Sequence, residues 1–127
     1  MKVMVLVKYC KDSEEGVPPN PEFMARVKKF NNDLTNAGVM VGVERLLPSV
    51  QGKKIRASGT QRIIIDGPFA ETKEMVGGFW LWKVKSMEEA MEWARRCPIP
   101  DHQHGELELR PVLEADDNFG PTLTTAV

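Results

Sequence analysis

Five charged residues stand beside apolar strand positions, where charge is worth explaining: Lys8, Glu44, Asp66, Glu108 and Arg110; a sixth, Lys73, lies in a polar run close behind Asp66. Asp66 lies at a strand end before Gly67 and Pro68, with Glu71 and Glu74 close behind. Grouped carboxylates raise one another's pKa, which suits proton transfer. The plainer role for Asp66 is a turn, its carboxylate accepting from the backbone that follows. Lys73 either holds an anion or neutralises its acidic neighbours, and a solvated charged turn is the simplest account of residues 71–74. Glu106, Glu108 and Arg110 share one face of the last strand; if that face lines a cavity, Arg110 is suited to gripping a substrate carboxylate with two hydrogen bonds. If it faces water, these are ordinary surface charges. Lys8 has the parity of Met4 and Leu6. A lysine drawn inside needs an acidic partner, and Glu44 is a candidate. The candidate acid–base groups are therefore Asp66 and Glu44. Lys8, Arg110, Glu108, Trp80 and Lys73 are the candidate ligand contacts.

Other reactive side chains form weaker patterns. His102 and His104 share a face of an extended segment, but zinc needs a further protein ligand, and no HExxH or Cys/His array supplies it. No metal and no cofactor is expected. Cys10 and Cys97 belong to no CxxC pair and read as buried thiols. Trp80 and Trp82 fit a core or an interface better than a ligand stack. Gly77-Gly78 follows no phosphate-loop pattern; it points to a bulge or a close approach of two backbones.

These residues must be carried by secondary structure, and the pattern supplies it. Residues 2–9 read as a strand with both faces apolar, Val3, Val5 and Val7 on one and Met4 and Leu6 on the other. Asn20-Pro21-Glu22 is a helix start, followed by Phe23, Val27, Phe30, Leu34 and Ala37 in one stripe and stopped by Gly38. Residues 39–47 predict a second strand. Residues 53–57 and 62–65 predict a hairpin turned by Ser58-Gly59-Thr60. Residues 77–84 predict a strand with Trp80, Trp82 and Val84 opposite Phe79 and Leu81. Ser86 with Glu89 is a capping box for a second helix, with Met87, Ala90, Met91, Ala94 and Cys97 on its buried side. Glu106 to Val112 alternates as a last strand, Leu107 and Leu109 inward. The tail from Asp116 is expected to stand apart from the domain of residues 1–115.

The order strand, helix, strands, helix, strand fits an α+β, ferredoxin-like domain: an antiparallel sheet with two helices on one face. The length of 127 residues suits one such domain, and 42% hydrophobic residues exclude a disordered chain. Seventeen basic residues against eighteen acidic ones argue against nucleic-acid binding driven by bulk charge. The apolar start is too short for a membrane span, so a cytoplasmic protein is expected, with no membrane partner.

Two helices shield one face of the sheet only. The other face would carry half of the first strand and either the tryptophans or Phe79 and Leu81. Apolar surface left in water is disfavoured by about 25 cal/mol per Å². The simplest cover is a second copy across a two-fold axis, giving a homodimer with a barrel between two sheets.

The run Asp66-Gly67-Pro68-Phe69-Ala70-Glu71-Thr72-Lys73-Glu74 resembles the signature of DGPF-domain proteins within the YCII-related family. The similarity continues in Gly78-Phe79-Trp80, Glu88-Glu89-Ala90, Trp93-Ala94, Cys97-Pro98 and Glu108-Leu109-Arg110-Pro111-Val112, and earlier in Asn31, Ala37-Gly38-Val39 and Pro48-Ser49. It covers the chain from Lys2 to about Glu114. The resemblance implies a dimeric α+β barrel. It implies little chemistry: DGPF proteins are often linked with extracytoplasmic-function sigma factors, which does not make them DNA-binding. The YCII-like branch resembles muconolactone-transforming enzymes and carries a His–Asp pair with its His early in the first helix. Here Pro21 to Arg26 contains no His, so that dyad is not carried over.

Two functions follow. The first is a small anionic organic molecule bound in the barrel cavity, with acid–base chemistry by Asp66 and Glu44 and no cofactor. The second is a non-catalytic ligand sensor or interaction module linked to sigma-factor-dependent transcription. Convergence of Lys8, Glu44, Asp66 and Arg110 favours the first; their dispersal over the surface favours the second.

Overall fold

The computed structural model describes residues 1–8, 16, 18–69, 75–99 and 105–114. Six strands and two helices run in the order β1 (Lys2–Lys8), α1 (Pro21–Asn36), β2 (Met40–Arg45), β3 (Lys53–Ser58), β4 (Gln61–Asp66), β5 (Val76–Lys83), α2 (Met87–Arg95) and β6 (Leu107–Pro111). A short 3-10 turn, Ser49–Gln51, follows β2. Four strands form an antiparallel sheet in the order β2-β5-β1-β6, the arrangement of a ferredoxin-like α+β fold. Strands β3 and β4 pair only with each other, as a separate ribbon. The sequence reading did not separate them from the main sheet.

Local signals act as their chemistry dictates. Asn20 caps α1, its side chain accepting from the Phe23 N–H at 2.7 Å, with Pro21 in the first turn. Gly38 ends the helix region at φ +74°, a conformation that disfavours a side chain. Ser86 Oγ accepts from the Glu89 N–H at 3.2 Å, but Glu89 reaches back to the Lys85 N–H rather than to that of Ser86. Gly78 does what the glycine pair suggested: a Cβ there would sit 2.8 Å from the Glu44 carbonyl oxygen. The register also slips beside it, with Val7 opposite Gly78 and Lys8 opposite Val76.

Register assigns the faces. Val3 pairs with Trp82 and Val5 with Trp80, and all four are buried beneath the helices with Phe30, Leu34, Val39, Val84 and Ala90. Phe30 packs edge-on against Trp80, Trp82 and Trp93 at centroid distances of 5.7, 6.2 and 6.3 Å. Trp80 Nε1 donates to Asn31 Oδ1 at 2.8 Å, whereas Trp82 Nε1 is buried without a partner among the described residues. Ala37, expected in the buried stripe, is exposed. Cys97 packs against this core as a free thiol, and burial pushes its pKa up to about 12. The segments holding Cys10, Glu71, Lys73, Glu74, His102, His104 and the tail from Asp116 lie outside the described residues.

Asn31→Ala leaves the Trp80 indole N–H without its acceptor. The expected loss is about 1–2 kcal/mol of stability, read as a lower urea midpoint with an unchanged slope; an unchanged midpoint would show that water replaces the amide at no cost.

Candidate functional site

The sheet face away from the helices is built in two rows, because residues opposite one another in an antiparallel ladder point the same way. Glu44, Phe79, Leu6 and Glu108 are paired across β2, β5, β1 and β6. Gly42, Leu81, Met4 and Arg110 form the next row. Each row crosses three strand spacings, about 14 Å in all. The centre is therefore apolar, Phe79, Leu6, Leu81 and Met4, all partly exposed. Acids stand at both ends of one row, and the second row has a side-chain-free position at Gly42 and a cation at its far end.

Lys8 completes one end. Its Nζ lies 2.9 Å from Glu108 Oε1, while an Arg110 guanidinium nitrogen lies 2.5 Å from Glu108 Oε2. One carboxylate thus holds two cations, and the trio keeps one net positive charge. The Lys8 hydrogen bond, then that of Arg110, holds the Glu108 carboxyl below the ordinary 4.5. Glu108 is therefore ionised at neutral pH and positions Lys8 and Arg110. The expected partner of Lys8, Glu44, stands instead at the opposite edge of the sheet. Arg110 is 73% exposed, so this is an open shelf rather than a closed pocket.

Asp66 is elsewhere. It ends β4 on the separate ribbon, opposite Lys53, and Asp66 Oδ1 accepts from Lys53 Nζ at 2.7 Å with both side chains largely exposed. Trp80 is in the core beneath the helices. Of the candidate residues, the sheet thus brings Lys8, Glu108, Arg110 and Glu44 to one face and leaves Asp66 and Trp80 off it; Lys73 lies outside the described residues.

The residues after Asp66 instead close the base of the ribbon on the turn that leads into β3. The Gly67 N–H donates to the Gly52 carbonyl at 3.0 Å, and the Phe69 N–H donates to Ser49 Oγ at 3.1 Å. A Cβ on Gly67 would lie 1.7 Å from the Ser49 carbonyl oxygen, so only glycine fits. Lys54 Nζ sits 4.3 Å from the centroid of the Phe69 ring. The Lys53–Asp66 pair was open to sequence reasoning, since counting outward from Gly59-Thr60 sets the two opposite each other. The Glu108 partnership with Lys8 had no such signal, because β1 and β6 are joined only by long-range pairing.

Two outcomes follow. Gly67→Ala costs about 1–3 kcal/mol through overpacking, with exchange protection lost at the Gly67 and Phe69 amides first; intact protection there would refute the tight-base account. In an NMR titration Glu108 titrates below 4.5. Its stabilisation is thus present above the unfolded value and lost as pH falls through the folded one. Lys8→Met brings the midpoint back up; no movement would remove Lys8 as the main cause.

Comparison with known proteins supplies a family. The YCII-related domain matches residues 1–116. An uncharacterised protein of Rhizobium meliloti (strain 1021) is 40% identical over 104 residues, 82% of this chain and 79% of that protein.

Proposed function

Because the chain belongs to the YCII-related family, whose domain spans residues 1–116, we propose that it works as a YCII-like homodimer binding a small organic anion on the open face of its sheet. The observation that carries the reading is the Lys8–Glu108–Arg110 trio beside Met4, Leu6, Phe79 and Leu81. Two cations sharing one carboxylate leave an uncompensated positive charge next to apolar surface. That combination favours a carboxylate attached to an apolar body. A second copy laid over this face removes the apolar centre from water and turns the shelf into a cavity, which strengthens every charged contact inside it.

Glu108, held ionised by its two cations, acts here by positioning and not as a proton donor. Glu44, outside that ion pair, is the carboxylate on this face suited to accept a proton. Asp66 has no part in this reading, since it is paired with Lys53 on the ribbon. A cytoplasmic setting belongs to the proposal: Cys97 is a free thiol, and among the described residues no helix is long and apolar enough to cross a membrane.

Calorimetric titration with benzoate and with benzamide, its uncharged analogue, tests the site. Benzoate binds about tenfold more tightly or better, and Lys8→Met or Arg110→Met each removes about tenfold, as expected for one charge-assisted hydrogen bond. Equal binding of the two compounds, or variants that bind benzoate like the wild type, would sink the anion site.

A further inference from the structure

The open face of the sheet has a third row that the anion shelf does not use. Lys2 on β1 and Lys83 on β5 are directly opposite each other, one row beyond Met4 and Leu81. They share the face of those two residues, since side chains two apart in a strand point the same way. Residues so paired stand about 4.5–5.5 Å apart at Cβ, and like charges set opposite one another weaken a sheet. Both lysines are exposed, and neither makes an ion pair among the described residues. Their ladder bonds do not ask for a cation: the Val112 N–H donates to the Lys2 carbonyl at 2.9 Å and the Lys83 N–H donates to the Val39 carbonyl at 2.8 Å. The fold alone would be better served by a neutral residue at one of the two positions.

The surroundings of this pair say what would relieve it. Arg110 lies opposite Met4, which sets it diagonal to Lys2, about 7–8 Å away across the two strands. Met4 and Leu81 are therefore flanked by Lys2 and Lys83 on one side and by Arg110 at the β6 end. The acids of this face do not neutralise the lysines. Glu108 is taken up by Lys8 and Arg110. Glu44 stands opposite Phe79, two rows from Lys83 and about 13 Å away along the strands. Two cationic positions with an apolar one between them match a molecule carrying two anionic groups on an apolar body. A phosphate ester gathers its charge into one group and would leave one of the two positions unfilled.

We propose that the ligand of the open face is a dicarboxylate, one carboxylate held by Arg110 of the trio and the other by Lys2 and Lys83, with its apolar body on Met4 and Leu81. The inference rests on the reading that this face binds an organic anion, and it adds a second subsite and a second charge on the ligand. The lysine pair then has a purpose: its repulsion weakens the empty sheet and is relieved when a carboxylate settles between the two ammonium groups.

Calorimetric titration of the full chain with benzoate, terephthalate, phthalate and phenyl phosphate is the test. Terephthalate, with its carboxylates at opposite ends of the ring, binds at least about tenfold more tightly than benzoate, the gain of one further charge-assisted anchor. Phthalate has the same charge with its carboxylates side by side, and neither it nor phenyl phosphate reaches that affinity. Lys2→Gln combined with Lys83→Gln brings terephthalate down to the affinity of benzoate. At low salt Lys83→Gln alone raises the urea midpoint, because the repulsion is gone; a lowered midpoint would mean that the pair serves the fold, and it overturns the proposal. Terephthalate binding no tighter than benzoate overturns the second subsite, while a preference for benzoate over benzamide leaves the anion site standing. Phthalate or phenyl phosphate matching terephthalate overturns the two spaced positions in favour of bulk positive charge. A double variant that keeps the terephthalate advantage overturns the assignment to the lysines. Equal binding of benzoate and benzamide overturns the dicarboxylate and the anion site together.

Discussion

The placement of β1 between β5 and β6 governs the rest of the molecule. One strand with two apolar faces is held in register by two antiparallel neighbours. A slip of one residue on either side would exchange the faces, putting the tryptophans into the open and the charged trio under the helices. Val3 and Val5 against Trp82 and Trp80 give the helices something large to bury. The same register sets Leu6 beside Glu108 and Met4 beside Arg110. Core and site are thus two sides of one pairing.

The burial is uneven in a way that bears on function. The helices cover the Trp80–Trp82 side, closed further by Phe30 and the Asn31 hydrogen bond. The other side keeps four apolar residues partly exposed between charged margins. Pairing Glu108 with both Lys8 and Arg110 stops that margin from being two repelling cations, and it leaves the residual positive charge at a defined place.

Asp66-Gly67-Pro68-Phe69 looks like chemistry in a sequence, with a carboxylate before a rigid turn. Its contacts among the described residues hold the ribbon together. Asp66 ties the two strands of the ribbon through Lys53, Gly67 allows the backbone to press on Ser49, and Phe69 carries Lys54 on its ring. Pro48 and Ser49, also in the resemblance, lie at the other half of that joint. Within this run Gly67 records close backbone packing.

By itself the sequence determined the elements and their kind. The Asn20-Pro21 start, the Gly38 stop, the Ser86 cap and the period of two in the strands are local, so their energetics are complete within a few residues. The shortage of helices for a two-sided sheet was equally legible, as was the α+β class. What only tertiary structure decided is which distant residues meet. Whether Lys8 faces Glu44 or Glu108, whether the tryptophans lie under the helices, and whether β3–β4 joins the sheet or stands apart all depend on pairings between strands far apart in the chain. A local pattern specifies that a side chain points to a face, but the face acquires neighbours only when the register is set.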